Sequence, residues 1–319
     1  MSQWTKETLE KLYHLPVPDL IFEAQQVHRR FHDPCQVQFC TLANIKSGNC
    51  PEDCSYCPQS ARYHTGIETW SLPSAEDIRS QAMAAKASGS TRLCMGAAWR
   101  EVKEGPDFEQ VLDLVKVVKS LDMEACVTLG MLTFSQAERL KEAGLTAYNH
   151  NIDTSPEYYE KIITTRTFED RLRTIENVRQ AGVQVCCGGI IGLGESVEDR
   201  IGFLHVLANL DPQPESVPIN ALVSVPGTPL ADQPPIDPFE LVRTIATARI
   251  SMPQATVRLS AGRTQLSDEA QTLCFLAGAN SIFTGEKLLT TPNPGIDSDQ
   301  ALMRKLGMQT MQTPLSLVK

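Results

Sequence analysis

Two rhythms of apolar and polar positions run along this chain. Thr5 to Tyr13 and Pro18 to Arg30 place apolar residues at helical spacing, and His32, Asp33 and Pro34 close the second stretch. From Gln36 onward, short apolar runs take turns with amphipathic stretches. The runs predict strands at Gln36–Asn44, Thr91–Ala97, Glu124–Thr128, Ala147–Asp153, Gln184–Ile191, Ser216–Leu222, Thr256–Ala261 and Asn280–Phe283. Helices are predicted at Ala75–Ala87, Phe108–Leu121, Ser135–Ala143, Phe168–Ala181, Val197–Leu210, Pro238–Ser251, Asp268–Ala277 and Asp299–Leu306, with glycines placed as C-caps.

Alternating strand-helix units predict a parallel sheet, and eight of them in about 270 residues predict closure into an α/β barrel of the (β/α)8 TIM type. No glycine-rich dinucleotide fingerprint follows the first strand, which argues against an open doubly wound sheet. The expected organisation is an N-terminal helical extension over 1–35, one barrel domain over 36–307 and a short irregular tail over 308–319.

The interior expected of such a barrel is Val, Ile and Leu, yet strand parity here gives something else. Leu93, Met95 and Ala97 share one face of the second strand, and Arg92, Cys94 and Gly96 the other. The same split separates Ala125, Val127 and Leu129 from Glu124, Cys126 and Thr128, and Val183, Val185 and Cys187 from Gln184, Cys186 and Gly188. It also separates Val257, Leu259 and Ala261 from Thr256, Arg258 and Ser260, and, with weaker contrast, Tyr148, His150 and Ile152 from Asn149, Asn151 and Asp153. The apolar sets face the helices, so the polar sets face the axis. Burying them without partners is too costly, and a deep ligand chamber is the economical reading. The residues alone make Arg258 a buried ion-pair partner of Asp153.

Composition narrows the partners. With 29 Lys and Arg against 38 Asp and Glu, the net charge is -9 and the chain has no basic footprint for nucleic acid. Mean hydropathy is -0.18 and no long uncharged apolar run occurs, so no membrane span is expected. The first residues carry Lys6, Glu7, Glu10 and Lys11 with no apolar leader, so a cytoplasmic location is expected. In a reducing compartment, ten cysteines point to metal or catalysis rather than to disulfides. Cys187 and Cys274 fall on apolar faces and Cys35 precedes the first strand, which makes these three structural. Cys40 shares the inward parity of Gln38 and is held as a reserve ligand.

Just beyond the first strand, at the C-terminal face of the barrel, lies Cys50-Pro-Glu-Asp-Cys54-Ser-Tyr-Cys57. Three thiolates at this spacing reach three corners of an iron-sulfur cube and leave one iron open. A zinc site completed by His64 is the alternative.

The CxxxCxxC loop with an aromatic before its last cysteine resembles the radical S-adenosylmethionine enzymes. The longer string from Gly48 to Ser60 is similar to the biotin synthase family among them. Tyr148-Asn-His-Asn-Ile-Asp-Thr-Ser155, Val185-Cys-Cys-Gly-Gly189, Val257-Arg-Leu-Ser-Ala-Gly-Arg263 and Leu288-Leu-Thr-Thr-Pro-Asn-Pro294 extend the likeness over roughly residues 10–307.

The resemblance implies that Cys50, Cys54 and Cys57 bind a 4Fe-4S cluster whose open iron takes S-adenosylmethionine. A 5'-deoxyadenosyl radical would then remove hydrogen from dethiobiotin, and a 2Fe-2S cluster would supply the sulfur that completes biotin. Cys94, Cys126, Cys186 and Arg258 are the implied 2Fe-2S ligands and catalytic set; for the cysteines and arginine alike, parity gives the same inward placement. An arginine ligand is unusual, since a guanidinium offers no free lone pair. Tyr56, Asn151, Asp153 and Arg171 would hold S-adenosylmethionine, with Arg171 on its carboxylate. Asn151 and Asn220 would meet the ureido ring of dethiobiotin, and Thr290 and Thr291 its carboxylate. A flavodoxin-like electron donor and a homodimer are also implied.

Overall fold

The computed structural model of the chain describes residues 3–312. Helices α1 (Lys6–Tyr13) and α2 (Val17–Phe31) come first. They are followed by β1 (Gln36–Lys46), β2 (Arg92–Ala97), β3 (Glu124–Thr128), β4 (Ala147–Asn149), β5 (Gln184–Cys186), β6 (Gly189–Ile191), β7 (Ser216–Ala221), β8 (Thr256–Leu259) and β9 (Ser281–Thr284). All pair in parallel, and β1 meets both β2 and β9, so the sheet closes. With β5 and β6 as halves of one interrupted strand, the barrel has its eight expected staves.

Helices alternate with the strands close to the expected ranges; Ala75–Ala87 and Pro238–Ser251 coincide with them. Several are fixed at their starts by local chemistry: Ser74, Thr133, Thr167 and Ser196 form capping boxes with Asp77, Gln136, Asp170 and Asp199. The outward residues Leu93, Met95, Val127, Tyr148, Val185, Val257 and Leu259 are buried in one core between sheet and helices, together with Cys187 and Cys274. Inside the barrel a separate small cluster gathers Cys40, Cys94, Cys126, Ala147, Phe283 and Leu288. Removing such side chains from water is worth roughly 2 kcal/mol each, which holds the helical layer on the sheet.

Two strands differ from expectation. The fourth stops at Asn149 instead of reaching Asp153, and the fifth breaks after Cys186. Backbone pairing goes on irregularly there, with the His150 N–H on the Cys186 carbonyl at 2.9 Å and the Ile190 N–H on the Asp153 carbonyl at 2.8 Å, and side chains add to it. The Asn149 Nδ2 donates to the Cys186 carbonyl at 3.2 Å, and the Gly188 N–H donates to Asn151 Oδ1 at 3.1 Å. The backbones also approach closely: a Cβ on Gly188 would stand 1.9 Å from the Pro218 carbonyl oxygen, and one on Gly189 2.4 Å from that of Asp153.

Four features have no counterpart in the predicted pattern: a helix at Pro156–Ile162, a 3-10 helix at Arg263–Gln265, a hairpin of β10 (Lys287–Leu288) with β11 (Thr291–Pro292), and β12 (Gln309–Thr310). The last of these corrects the irregular tail, because Gln309 and Thr310 pair in parallel with Gln36 and Val37. Residues 313–319 of that tail lie outside the described residues.

Candidate active site

A cavity of about 310 Å³ opens at the C-terminal ends of the strands, where barrel loops converge. Cys50, Cys54 and Cys57 line its mouth, and Cys94, Cys126 and Cys186 line it deeper, from β2, β3 and β5.

The loop carrying the first three thiols is sewn to the turn before Phe168. Ser55 donates its N–H to the Ile162 carbonyl at 3.0 Å, and the Asp53 carboxylate accepts N–H bonds from Thr164 and Thr165 at 2.9 and 3.2 Å. Burial pushes the Asp53 carboxyl up, but these bonds outweigh it and hold the group below its ordinary range. Glu52, 2% exposed, lies between Arg100 at 3.4 Å and Arg166 at 3.7 Å. Arg166 in turn directs Nη2 at the Cys54 sulfur, 3.9 Å away. Sequence reasoning missed both Glu52 and Arg166. The signal available was an acidic pair inside a loop otherwise made of thiols.

Burial raises all three thiols, Cys54 to about 11 and Cys57 to about 12. The deeper set behaves differently. Contact with Cys126 and the nearby Arg258 and Arg92 guanidiniums lowers Cys94 and Cys186, whereas the neighbouring Cys186 and Cys94 thiols, together with burial, raise Cys126. Cys94 and Cys126 are direct neighbours in the β2–β3 register.

Arg258 is fully buried. Its Nε donates to Ser281 Oγ at 3.0 Å, Nη1 to the Cys186 sulfur at 3.8 Å and Nη2 to the Cys40 sulfur at 3.3 Å, while the guanidinium stands over the Phe283 ring. The ion-pair expectation for Arg258 therefore fails. The buried carboxylate of Asp153 pairs with Arg171 instead, because the helix beginning at Phe168 brings that guanidinium over the open end of β4. Arg171 also donates Nε to Tyr159 Oη at 2.9 Å and is 4% exposed.

The remaining sequence candidates Tyr56, Asn151, Asn220, Thr290 and Thr291 line the cavity; His64 does not. Asn151 spends its Oδ1 on Gly188 and Asn149. Asn220 spends both ends of its amide on backbone, donating to the Gly189 carbonyl at 2.8 Å and accepting from the Ala261 N–H at 3.1 Å. Thr290 and Thr291 sit on the β10–β11 hairpin, past Leu289 in a left-handed conformation at φ 52°. His150, which parity puts with the outward residues, lines the cavity because the strand has ended before it. Burial holds its imidazole neutral, and its Nε2 lacks a partner among the described residues.

These groups fit two anionic iron-sulfur clusters. Arg166, beside the loop thiols, faces the Glu52 carboxylate and directs Nη2 at the Cys54 sulfur, while Arg92 Nη1, beside the deep thiols, is buried without a hydrogen-bond partner. Such an orphaned guanidinium donor is costly unless an anion meets it. Each set of three thiols supplies soft ligands of the kind iron-sulfur clusters take. Between the sets lie amides, a carboxylate and a guanidinium able to orient a polar ligand.

Comparison with known proteins agrees with this arrangement. The profile of the Radical SAM superfamily matches residues 44–207, and that of the Biotin and Thiamin Synthesis associated domain matches 218–309. The biotin synthase of Synechococcus sp. (strain JA-3-3Ab) is 65% identical over 305 residues, 96% of this chain and 98% of its own. That of Gloeobacter violaceus is 60% identical over 97% of both chains. Among solved structures, methylornithine synthase aligns at a TM-score of 0.82 with 19% identity, covering 98% of this chain and 95% of its own. The FeFe-hydrogenase maturase of Carboxydothermus hydrogenoformans aligns at 0.79 with 17% identity, over 97% of this chain and 76% of its own, and both show the shared barrel. Profiles and relatives together show that the chain belongs to the biotin synthase family of radical S-adenosylmethionine enzymes.

Proposed function

We propose that this chain inserts sulfur into dethiobiotin to form biotin, using S-adenosylmethionine as its radical source. The observation that carries the reading is two sets of three thiols at two depths of one polar cavity. Cys50, Cys54 and Cys57 hold a 4Fe-4S cluster at the mouth. Cys94, Cys126, Cys186 and Arg258 hold a 2Fe-2S cluster at the floor. When bound, the first cluster supplies the electron that splits S-adenosylmethionine, and the second supplies the sulfur.

The chain's own residues do the positioning. Arg171, preorganised by Tyr159 and Asp153, offers a planar fork to the S-adenosylmethionine carboxylate. Asp153 and Asn151 face the ribose, and Tyr56 flanks the adenine. The Asn151 amide nitrogen faces the ureido oxygen of dethiobiotin, and Asn220 reinforces the wall behind it. The Thr290–Thr291 hairpin takes the substrate carboxylate, and Leu288 and Phe283 keep water from the floor. By resemblance the enzyme is a cytoplasmic homodimer fed by a flavodoxin-like donor. No helix among the described residues is long and apolar enough to cross a membrane.

Cys94→Ala tests the division of labour. The variant is expected to keep reductive cleavage of S-adenosylmethionine, read as 5'-deoxyadenosine, while biotin falls at least about tenfold, equivalent to about 1.4 kcal/mol. Undiminished biotin in that variant would overturn the assignment.

A further inference from the structure

Two residues of the cavity wall run against what their own backbone asks for, and they touch. Strands β10 and β11 pair Leu288 with Thr291, so Leu289 and Thr290 form a two-residue turn whose tip lines the cavity. Leu289 holds a left-handed conformation at φ 52°. Turns of this length call for a positive φ at that position, and glycine or asparagine supplies it without the strain that a leucine bears. Gly96 shows the converse. It lies within β2 with no left-handed backbone, where a side chain would ordinarily strengthen the strand.

One contact accounts for both departures. A Cβ placed on Gly96 would stand 2.8 Å from Leu289 Cδ2 and 4.0 Å from its Cγ, and Leu289 is the one residue it would meet among the described residues beyond its chain neighbours. The missing side chain leaves a hole in the inward face of β2, and the leucine of the turn fills it. To reach that hole the hairpin crosses from the end of β9 over β1. Its feet are tied down separately. Asn293 Nδ2 donates to the carbonyls of Phe283 at 3.0 Å and Gly285 at 2.7 Å, and the Asn293 N–H donates to the Glu286 carbonyl at 2.8 Å. With the feet fixed, the seat of Leu289 on Gly96 sets how deep the tip stands in the barrel.

The same tip carries Thr290 and Thr291, the seat read above for the substrate carboxylate, while the ureido ring lies at Asn151. The aliphatic chain of dethiobiotin joins the two seats, so its length must match the gap between them. We infer that the Leu289–Gly96 contact is a ruler for substrate chain length: it fixes the depth of the hairpin tip and thereby selects dethiobiotin over homologues one methylene longer or shorter. The inference rests on the reading of Thr290 and Thr291 as the carboxylate seat.

The test is calorimetric binding to anaerobically reconstituted, full-length enzyme loaded with S-adenosylmethionine. The ligands are dethiobiotin, its homologues with side chains one methylene longer and shorter, and dethiobiotin methyl ester. The wild type is expected to prefer dethiobiotin over each homologue by about tenfold or more, and Leu289→Gly, which suits the left-handed turn, to shrink the preference over the longer one to about threefold or less. Gly96→Ala, which pushes the leucine outward, is expected to weaken dethiobiotin several-fold and to move the preference toward the longer homologue. Added to Leu289→Gly, it is expected to have no further effect. Equal binding of the three acids by the wild type, wild-type ratios in Leu289→Gly, or a Gly96→Ala effect that persists without the leucine would overturn the ruler while the carboxylate seat stands. A methyl ester bound as tightly as the acid would instead remove the seat, and the inference with it. Leu289→Gly decides alone if Gly96→Ala fails to fold.

Discussion

Asp153 holds a left-handed backbone conformation at φ 68°, which lets its carbonyl accept the Ile190 N–H at 2.8 Å while its carboxylate meets Arg171. Asp153→Asn removes the counter-charge and leaves Arg171 buried and unpaired. A loss of about 3 kcal/mol in denaturant unfolding is expected, with weakened S-adenosylmethionine binding by calorimetry. The Cys186–Cys187 doublet gives a sharper contrast, since one thiol lines the cavity and the other is in the outer core. Cys186→Ala is expected to lose 2Fe-2S iron and sulfide. Cys187→Ala is expected to retain both and cost roughly 1 kcal/mol; iron and sulfide assays with urea titration check the pair. The CxxxCxxC loop and the inward cysteines were legible from spacing and parity alone. Arg166, Glu52 and the Asp153–Arg171 pair were not, because each depends on which loop folds over which strand end, and single-residue pattern carries no such information.

Elements position these residues, and two of them carry predictions of their own. The cluster loop is held by Asp53 against Thr164 and Thr165. Asp53→Ala is expected to leave the fold intact and to speed loss of 4Fe-4S absorbance under a chelator several-fold. Helix α2 docks through His32, whose Nε2 accepts from Arg249 Nη1 at 2.8 Å, with His28 stacked on it at 5.3 Å. Burial and the Arg249 guanidinium push His28 down to about 3 and His32 to about 4. Unfolded histidine takes up its proton near 6.5, so the unfolded state binds more protons below that pH. Their stabilising contribution is whole above about 6.5 and declines as pH falls toward about 4. The melting temperature is expected to drop over that window, and less steeply in His28→Gln. Periodicity located nearly every strand and helix because the outer face of the sheet is continuously apolar. It overran β4 and β5, where the backbone pairing turns irregular and Asn149, Asn151, Gly188 and Gly189 add side-chain bonds and close backbone contacts. It also missed the β10–β11 hairpin, which is too short to show a period.

For the molecule as a whole, the barrel resolves a conflict visible in its sequence: a closed parallel sheet ordinarily fills its axis with aliphatic side chains, and here thiols, amides and guanidiniums occupy it. The helical layer supplies stability from outside, which leaves the axis available for ligands. The central claim is that both thiol sets serve one reaction. Its most direct measurement is the joint yield of 5'-deoxyadenosine and biotin from anaerobically reconstituted wild-type protein given S-adenosylmethionine, a low-potential reductant and dethiobiotin. Both products are expected, with biotin appearing only when dethiobiotin is present. Sustained 5'-deoxyadenosine with no biotin at saturating dethiobiotin would contradict the account.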